Sequence, residues 1–337
     1  MKQKDIAKIL NTSISTVSRV LSRNDTRSIS EELKQQIIAM AIKNKMKIKT
    51  KKYGILVGSY FNTLDDPFYG EIVQHAAHAF QEMSYYRSFH CTSPELEKIS
   101  DVEMIDRYGR LDGVIIVTMT PKKIMEKIVK LTDNIVYIGE VFAFDETMNQ
   151  KHNELPDFPY DRITYDSYSM FTQCVEYLVS LGRKKIIFIG IEPQHKNVRI
   201  SGYINGLSKT GLESTEKIFF PDTYDFNGGY HVVDEFYNKV DFDAVMCHND
   251  EIALGLMERL LSLGVKIPDD VMVTGFYDMP QASLKKPSLT TIRIDVRSIG
   301  FLSAEIINAR AEKILNSPVS VKLGLELVKR ESTGGVT

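Results

Sequence analysis

"DGVIIVTMTPKKIMEKIVKLTDNIVYIGEV", residues 112–141, reads as a strand, a helix and a second strand. Its two apolar runs, "DGVIIVT" (112–118) and "NIVYIGEV" (134–141), are short and rich in β-branched residues. Between them "PKKIMEKIVKL" carries a helical pattern. The texture extends in both directions. Upstream, "YGILVGSY" (53–60) precedes a helical stretch that begins near Pro67. Downstream, "RKKIIFIG" (183–190), "FDAVMCHND" (242–250) and "DVMVTGFYD" (270–278) each end in polar or Gly-rich loops. Helical segments at 167–181, 195–211, 227–239 and 250–263 adjoin them. Apolar strand runs alternating with amphipathic helices argue for parallel, doubly wound sheets. Two similar halves argue for two such domains with a cleft between them. Ligands in such sheets bind beyond the carboxyl ends of the strands, so the polar residues that follow the strands are the candidate ligand residues.

The 337 residues suffice for two or three compact domains. With 43% hydrophobic and 26% charged residues, the composition is that of an ordinary globular protein. No apolar run approaches the roughly 18 residues of a membrane span. The start, "MKQKDIAKIL", has no apolar core and no small-residue cleavage site, so a cytoplasmic location is expected. Cys91, Cys174 and Cys247 are scattered, odd in number and form no C-x-x-C pair, which reads as buried thiols in a reducing compartment. Charge is segregated. Residues 1–52 hold 13 Lys/Arg against 4 Asp/Glu, a net of +9, whereas the remainder holds 29 against 40, a net of −11. A basic head on an acidic body suggests that only the head meets a polyanion.

That head reads as three short helices. Residues 4–10 space Ile6, Ala7, Ile9 and Leu10 for one buried face. Asn11 tolerates the left-handed conformation that ends a helix. Thr12, Ser13 and Ile14 form a tight turn, and Ser15 is placed to start a second helix with Val17, Val20 and Leu21 inward. Ser30 caps a third helix, with Glu31 and Glu32 in its first turn, that can run to about Lys45. "KNKMKIKTKKY" (43–53) has seven basic or amide letters in eleven and reads as a linker ending at Tyr53.

Catalytic signatures are missing. Neither G-x-G-x-x-G nor G-x-x-x-x-G-K-[ST] occurs, and there is no G-x-S-x-G elbow. His75 and His78 lie three apart on a helix, but no acid or Cys is spaced to complete a metal site. His248 ends a strand and is the one tempting general base, without a nucleophile to pair with. The body reads as a binder with no cofactor and no metal.

"KDIAKILNTSISTVSRVL" (4–21) resembles the helix-turn-helix of the LacI/GalR family of bacterial transcription regulators, and "SISEELKQQIIAMAI" resembles that family's third helix. The match lies in Asp5-Ile6-Ala7, the turn, and Thr16-Val17-Ser18-Arg19-Val20. A recognition helix offers its N-terminal residues to base edges in the major groove, here Ile14, Ser15 and Arg19. The Arg fork matches guanine O6 and N7. Ser13, Thr16 and Ser18 suit phosphate contacts, which position without specifying. Ser13 and Ser15 can equally serve as helix caps. Asn11 stands where the family usually has Gly. The family's hinge segment, Tyr-x-Pro-x-x-x-Ala-Arg-x-Leu, has no counterpart in "MKIKTKKYG", which implies that the hinge helix is lacking. Lys47, Lys49, Lys51 and Lys52 would then supply only non-specific phosphate attraction.

The body is similar to the family's periplasmic-binding-protein-like sugar domain, through "DDPFYGEI" (65–72), "AVMCHNDEIALGLM" (244–257), "PSLTTIRIDVRSIG" (287–300) and "LELVKREST" (325–333). Within the family, "DPFY", "LTDNI", "RKKIIFIG" and "PSLTTIRI" resemble repressors of β-galactoside utilisation. The resemblance implies an effector site. Asp66 would accept sugar hydroxyls, and Phe68 with Tyr69 would give an apolar face for the sugar ring. Thr118 and Glu140 would come from strand ends of the first half. Arg199 would donate to vicinal hydroxyls, Phe226 would form an aromatic wall, and Asn249 would serve a hydroxyl pair. Tyr277 stands where the family often has Asp, with Asp278 next along, a change at a position that bears on the sugar's stereochemistry. Plainer roles stay open: Asp66 as a helix cap, Phe68 as core, Asn249 and Asp250 as caps of the following helix.

The expected fold class is α/β. A helix-turn-helix head (1–46) and a short linker (47–52) precede a periplasmic-binding-protein-like body (53–337) of two doubly wound parallel-sheet subdomains. The first covers about 53–163 and 293–320, the second about 164–292 and 321–332. The implied function is sequence-specific DNA binding by a sugar-modulated repressor. The implied partners are operator DNA, a small sugar and a second copy of the chain, with a tetramer left open and no membrane. The rival is a sugar-binding protein or sugar-active enzyme with no DNA-binding role.

Overall fold

A computed structural model describes residues 1–22, 28–44, 46, 51–58, 67–118, 120–139, 159–191, 198–212 and 217–335. The head holds helices α1 (Gln3–Ile9), α2 (Ile14–Ser22) and α3 (Glu31–Lys43). Ile6, Ala7, Val17, Val20, Leu21, Ile29, Ile37 and Ala41 form its small core, with Met46 packed against it. Ser30 caps α3 by accepting from Leu33 N–H at 3.3 Å. Asn11 takes φ 47°, the left-handed turn its side chain tolerates. The start of α2 differs from expectation. Ser13 is the residue whose hydroxyl accepts from Thr16 N–H, at 2.9 Å, so the helix begins at Ile14 and leaves Ser15 one position inside.

The chain divides into two compact units, Met1–Thr164 with Val296–Val321, and Tyr165–Asp295 with Lys322–Thr337. In the first lie β1 (Lys51–Val57), α4 (Pro67–Glu82), β2 (Tyr85–Thr92), α5 (Ser93–Lys98), α6 (Asp101–Tyr108), β3 (Gly113–Val117), α7 (Lys122–Ile128), β4 (Ile135–Ile138) and β5 (Asp161–Tyr165). The second holds α8 (Ser167–Ser180), β6 (Ile186–Ile189), α9 (Val198–Thr210), β7 (Ile218–Phe219), α10 (Phe226–Phe236), β8 (Ala244–Cys247), α11 (Asp250–Ser262), β9 (Met272–Thr274), α12 (Pro280–Leu284) and β10 (Thr291–Arg293). Helix α13 (Val296–Ala311) returns to the first unit, and β11 (Ser320–Leu323) and β12 (Glu326–Val328) follow.

The first sheet runs β11-β5-β4-β3-β1-β2, with parallel pairing from β5 to β2. Every residue of β3 and β4 is buried, which is why they read as unbroken apolar runs. Leu56, Val114, Ile116, Ile135 and Tyr137 pack there with Met104, Ile124, Ile128 and Leu131. Strand β2 had no such run, because it lies at the sheet edge with Tyr86 and Arg87 exposed. The second unit repeats the plan as a parallel sheet, β7-β6-β8-β9, beside the antiparallel pair β10–β12. Its helices α10 and α11 meet through glycines. A methyl group at Gly229 would lie 2.1 Å from Ile252 O, and one at Gly255 would lie 1.9 Å from Phe226 O.

Two further expectations change. Lys51 and Lys52, read as linker, open β1. Lys51 is buried and ion-paired with Glu312, and it donates to Asn308 Oδ1 at 3.0 Å, so its charge is neutralised inside the protein rather than offered to phosphates. Lys47 and Lys49 lie outside the described residues. All three cysteines are free and buried. Burial pushes the Cys91 and Cys174 thiols up to about 12, and Cys247 well above its ordinary value, which leaves them inert.

Candidate functional site

In the head, the face of α2 opposite the core is the exposed one. Val17, Val20 and Leu21 are buried, whereas Ile14 is 55% exposed and Ser15 is exposed. Helical spacing places Ser15 and Arg19 one turn apart on that same side. Ser18 and Arg19 are half-buried, and Arg19 Nε has no hydrogen-bond partner among the described residues. Ser13 and Thr16 join hydroxyls at 2.8 Å at the helix start, so both are partly occupied with capping. The arrangement presents an apolar tip (Ile14), a small hydroxyl (Ser15) and a guanidinium (Arg19) from the first turns of one helix. That set suits base edges in a major groove.

In the first unit, Asp66 and Glu140 lie outside the described residues. Phe68 is only 3% exposed and meets Tyr69 edge-on at 5.3 Å between ring centroids. Its ring is a core ring in this structure, the plainer of the two roles open to it, and Tyr69 is half-buried. Thr118 follows β3 at φ 63°, its N–H donating to Ile138 O at 2.8 Å.

The second unit gathers more of the expected residues, because β8 and β9 pair side by side, α11 starts just after β8, and Arg199 of α9 reaches the end of β8. Arg199, in the first turn of α9, is buried. It donates through Nη1 to His248 O at 2.6 Å and through Nη2 to the Tyr277 hydroxyl at 3.0 Å. Its guanidinium lies over the Phe276 ring, 4.0 Å from the centroid, and 5.0 Å from that of Tyr277. Tyr277 holds φ 116°, a strained value for a bulky residue, fixed by its N–H donating to Ile292 O at 2.8 Å. Phe226 opens α10 and is 42% exposed, so it offers an apolar face.

Asn249 and Asp278 are more occupied than expected. Asn249 caps α11 by accepting from Ile252 N–H at 2.8 Å, and its amide donates to Tyr224 O at 3.0 Å. Asp278 accepts from Arg293 Nε at 2.6 Å and Arg330 Nη2 at 2.5 Å, so both carboxylate oxygens are spent inside the fold. Asp250 is fully buried, accepting from Thr291 Oγ1 at 2.5 Å and Met279 N–H at 2.8 Å. Burial raises its carboxyl to about 6, against the opposing pull of those hydrogen bonds.

His248 is the residue whose weight only the structure shows. Its imidazole is buried, and Nδ1 has no partner among the described residues. Burial first, and the Arg199 charge second, hold it well below the ordinary histidine range, so it is neutral at pH 7. The sequence marked its place at a strand end, but an unpartnered ring is visible only in three dimensions. The cluster offers hydrogen-bond donors, acceptors and aromatic faces. Among the described residues, no His/Cys/Asp/Glu group could hold a metal, and no helix is long and apolar enough to cross a membrane.

The periplasmic binding protein-like domain family matches residues 175–333. The HTH-type transcriptional regulator RegA of Clostridium saccharobutylicum is 30% identical, over 98% of this chain and 98% of its own. A solved complex of the transcriptional regulator CelR with cellobiose aligns with 98% of this chain and 99% of its own, at TM-score 0.68 and 20% identity. The lac repressor dimer bound to operator and an anti-inducer aligns over 99% of both chains, at TM-score 0.70 and 18% identity. The two structures share the fold, and RegA is similar in sequence over 98% of both chains. The chain belongs to the LacI/GalR family of helix-turn-helix transcriptional regulators, which are not enzymes.

Proposed function

We propose that this regulator is a repressor of sugar-utilisation genes, controlled by a galactoside-like sugar held at the strand ends of the second unit. The observation that carries the DNA-binding part is the first turns of α2, where Ile14 and Ser15 are exposed and Ser15 and the half-buried Arg19 lie opposite the buried Val17, Val20 and Leu21. Arg199, Phe226 and Tyr277 support the sugar part, since they combine a held guanidinium, an open ring and a hydroxyl. Asn249 and Asp278 then act chiefly by fixing the walls of that site. Thr118, Tyr69, Asp66 and Glu140 are carried as effector contacts by the family resemblance alone. The cellobiose complex and the operator-bound lac repressor dimer support the same reading. A homodimer would place one head on each half of a near-palindromic operator. The sugar controls binding only if its affinities for the DNA-competent and DNA-incompetent states differ.

We further propose that the head works without a hinge helix. Met46 packs on the head core and Lys51 is anchored in β1 by Glu312 and Asn308, so only residues 47–50 lie between two fixed points. Four residues are fewer than the roughly seven needed for two helical turns, and the five peptide steps span at most about 18 Å.

The test is a mobility shift at low salt on a duplex selected from a random pool by the full-length protein, with galactose, lactose and allolactose added in turn. A specific shift that one sugar reverses is expected. No shift, or a shift unaltered in Arg19→Ala, refutes the repressor reading. A hinge helix in the minor groove of an operator complex refutes the hinge-free head.

A further inference from the structure

We propose that His248 is a specificity-determining residue of the effector site, its neutral imidazole hydrogen-bonding one hydroxyl of an uncharged sugar. This rests on the sugar-site reading above and adds a residue and a ligand class to it.

The pleat of the sheet places the ring. Val245 and Cys247 point into the core formed with α10 and α11. Successive side chains alternate, so Met246 and His248 point to the other face. That face is the one α8 and α9 cover, where Phe188 meets Phe171 and Tyr203 at ring-centroid distances of 5.7 and 5.3 Å. His248 N–H continues the ladder by donating to Ile189 O at 2.8 Å, and Arg199 grips its carbonyl, so the backbone under the ring is fixed from both sides. The ring therefore sits one residue past the end of β8, on the face that α8 and α9 cover and beside Arg199.

Its isolation is the anomaly. Buried polar side-chain atoms in native proteins are hydrogen-bonded in the large majority of cases, and an unmet one is costly. His248 Nδ1 is buried without a partner among the described residues. A leucine would fill such a place without that cost, so a polar ring kept there points to a partner that arrives from outside. A neutral imidazole presents one N–H and one lone pair. A hydroxyl both donates and accepts, so it satisfies either tautomer. A cationic ligand group is disfavoured because Arg199 stands beside the ring. An uncharged polyol is the chemistry that fits both residues at once.

The experiment uses the full-length chain and its His248→Leu and His248→Asn variants. Thermal unfolding without sugar comes first. His248→Leu is expected to melt at the same temperature as the parent or higher. A clear drop in its melting temperature would show that the ring already has a partner in the protein, and would overturn the assignment. Calorimetry with methyl β-galactoside, cellobiose and ribose comes second. For a sugar that binds the parent, His248→Leu is expected to weaken binding about ten-fold, the effect of one hydrogen bond. His248→Asn should recover part of the loss, because its amide also donates and accepts. Equal binding by parent and His248→Leu overturns the role of His248 and leaves the sugar site standing. No binding of any of the three to the parent overturns the sugar reading, and this assignment with it.

Discussion

Arg199 joins its own helix to the end of β8 through one contact, Nη1 to the carbonyl oxygen of His248 at 2.6 Å. Its second arm reaches the Tyr277 hydroxyl and its flat face covers Phe276, so three elements depend on one guanidinium. Lysine has neither the fork nor the plane. Arg199→Lys is expected to weaken sugar binding at least about ten-fold, since hydrogen bonds to charged groups contribute about 1.5–3 kcal/mol each. Calorimetry on the variant checks this; unchanged affinity would remove Arg199 from the site.

Lys51 and Glu312 bring together residues far apart in the chain, and each side chain is only 10% exposed. Breaking a buried pair strands the surviving charge. Glu312→Ala is expected to cost about 3–5 kcal/mol, read by urea unfolding. The double variant Lys51→Met/Glu312→Leu should regain most of it, because no lone charge remains. A single variant as stable as the parent would contradict the anchor.

Gly255 lets α11 approach the backbone of Phe226, where a methyl group would sit 1.9 Å from the carbonyl oxygen. Gly255→Ala forces the helices apart and should cost about 1–3 kcal/mol or more. The displaced Phe226 should also weaken sugar binding. Equal melting temperatures for variant and parent would refute the close contact.

Asp250 gives a pH dependence of unusual sign. Its folded carboxyl titrates near 6, above the ordinary 3.8, because it is buried. The folded state therefore holds a proton between about 4 and 6 that the unfolded state has released. This group's contribution favours folding below that window and fades as pH rises through 6. Asp250→Asn should remove that slope, a difference of about 2 kcal/mol between pH 4 and pH 7 at 1.36 kcal/mol per unit. Urea unfolding of parent and variant across that range measures it; parallel curves would contradict it.

The alternation of elements was legible because β3, β4, β6 and β8 are buried on both faces and read as apolar runs. The inward side of α2 was legible because Val17, Val20 and Leu21 fall on one side of the helix and Ser15 and Arg19 on the other. Strand β2 was not, since edge exposure dilutes its pattern. Lys51 read as a free linker charge because Glu312 lies 261 residues away. Asp278 read as a ligand because nothing local announces Arg293 and Arg330 as its partners. Asn249 signalled both a cap and a site, and only the geometry shows its oxygen on Ile252 N–H.

The proposed function requires that α2 read DNA through Arg19. The most direct measurement selects the preferred duplex of the parent protein from a random pool, then compares its affinity for parent and Arg19→Ala across a salt series. A loss of about 1–3 kcal/mol is expected on the selected duplex, with relaxed preference at one base pair per half-site. The salt slope should change little, because base contacts release few counterions. Affinity within two-fold of the parent at every salt concentration, with the same preferred sequence, would contradict it.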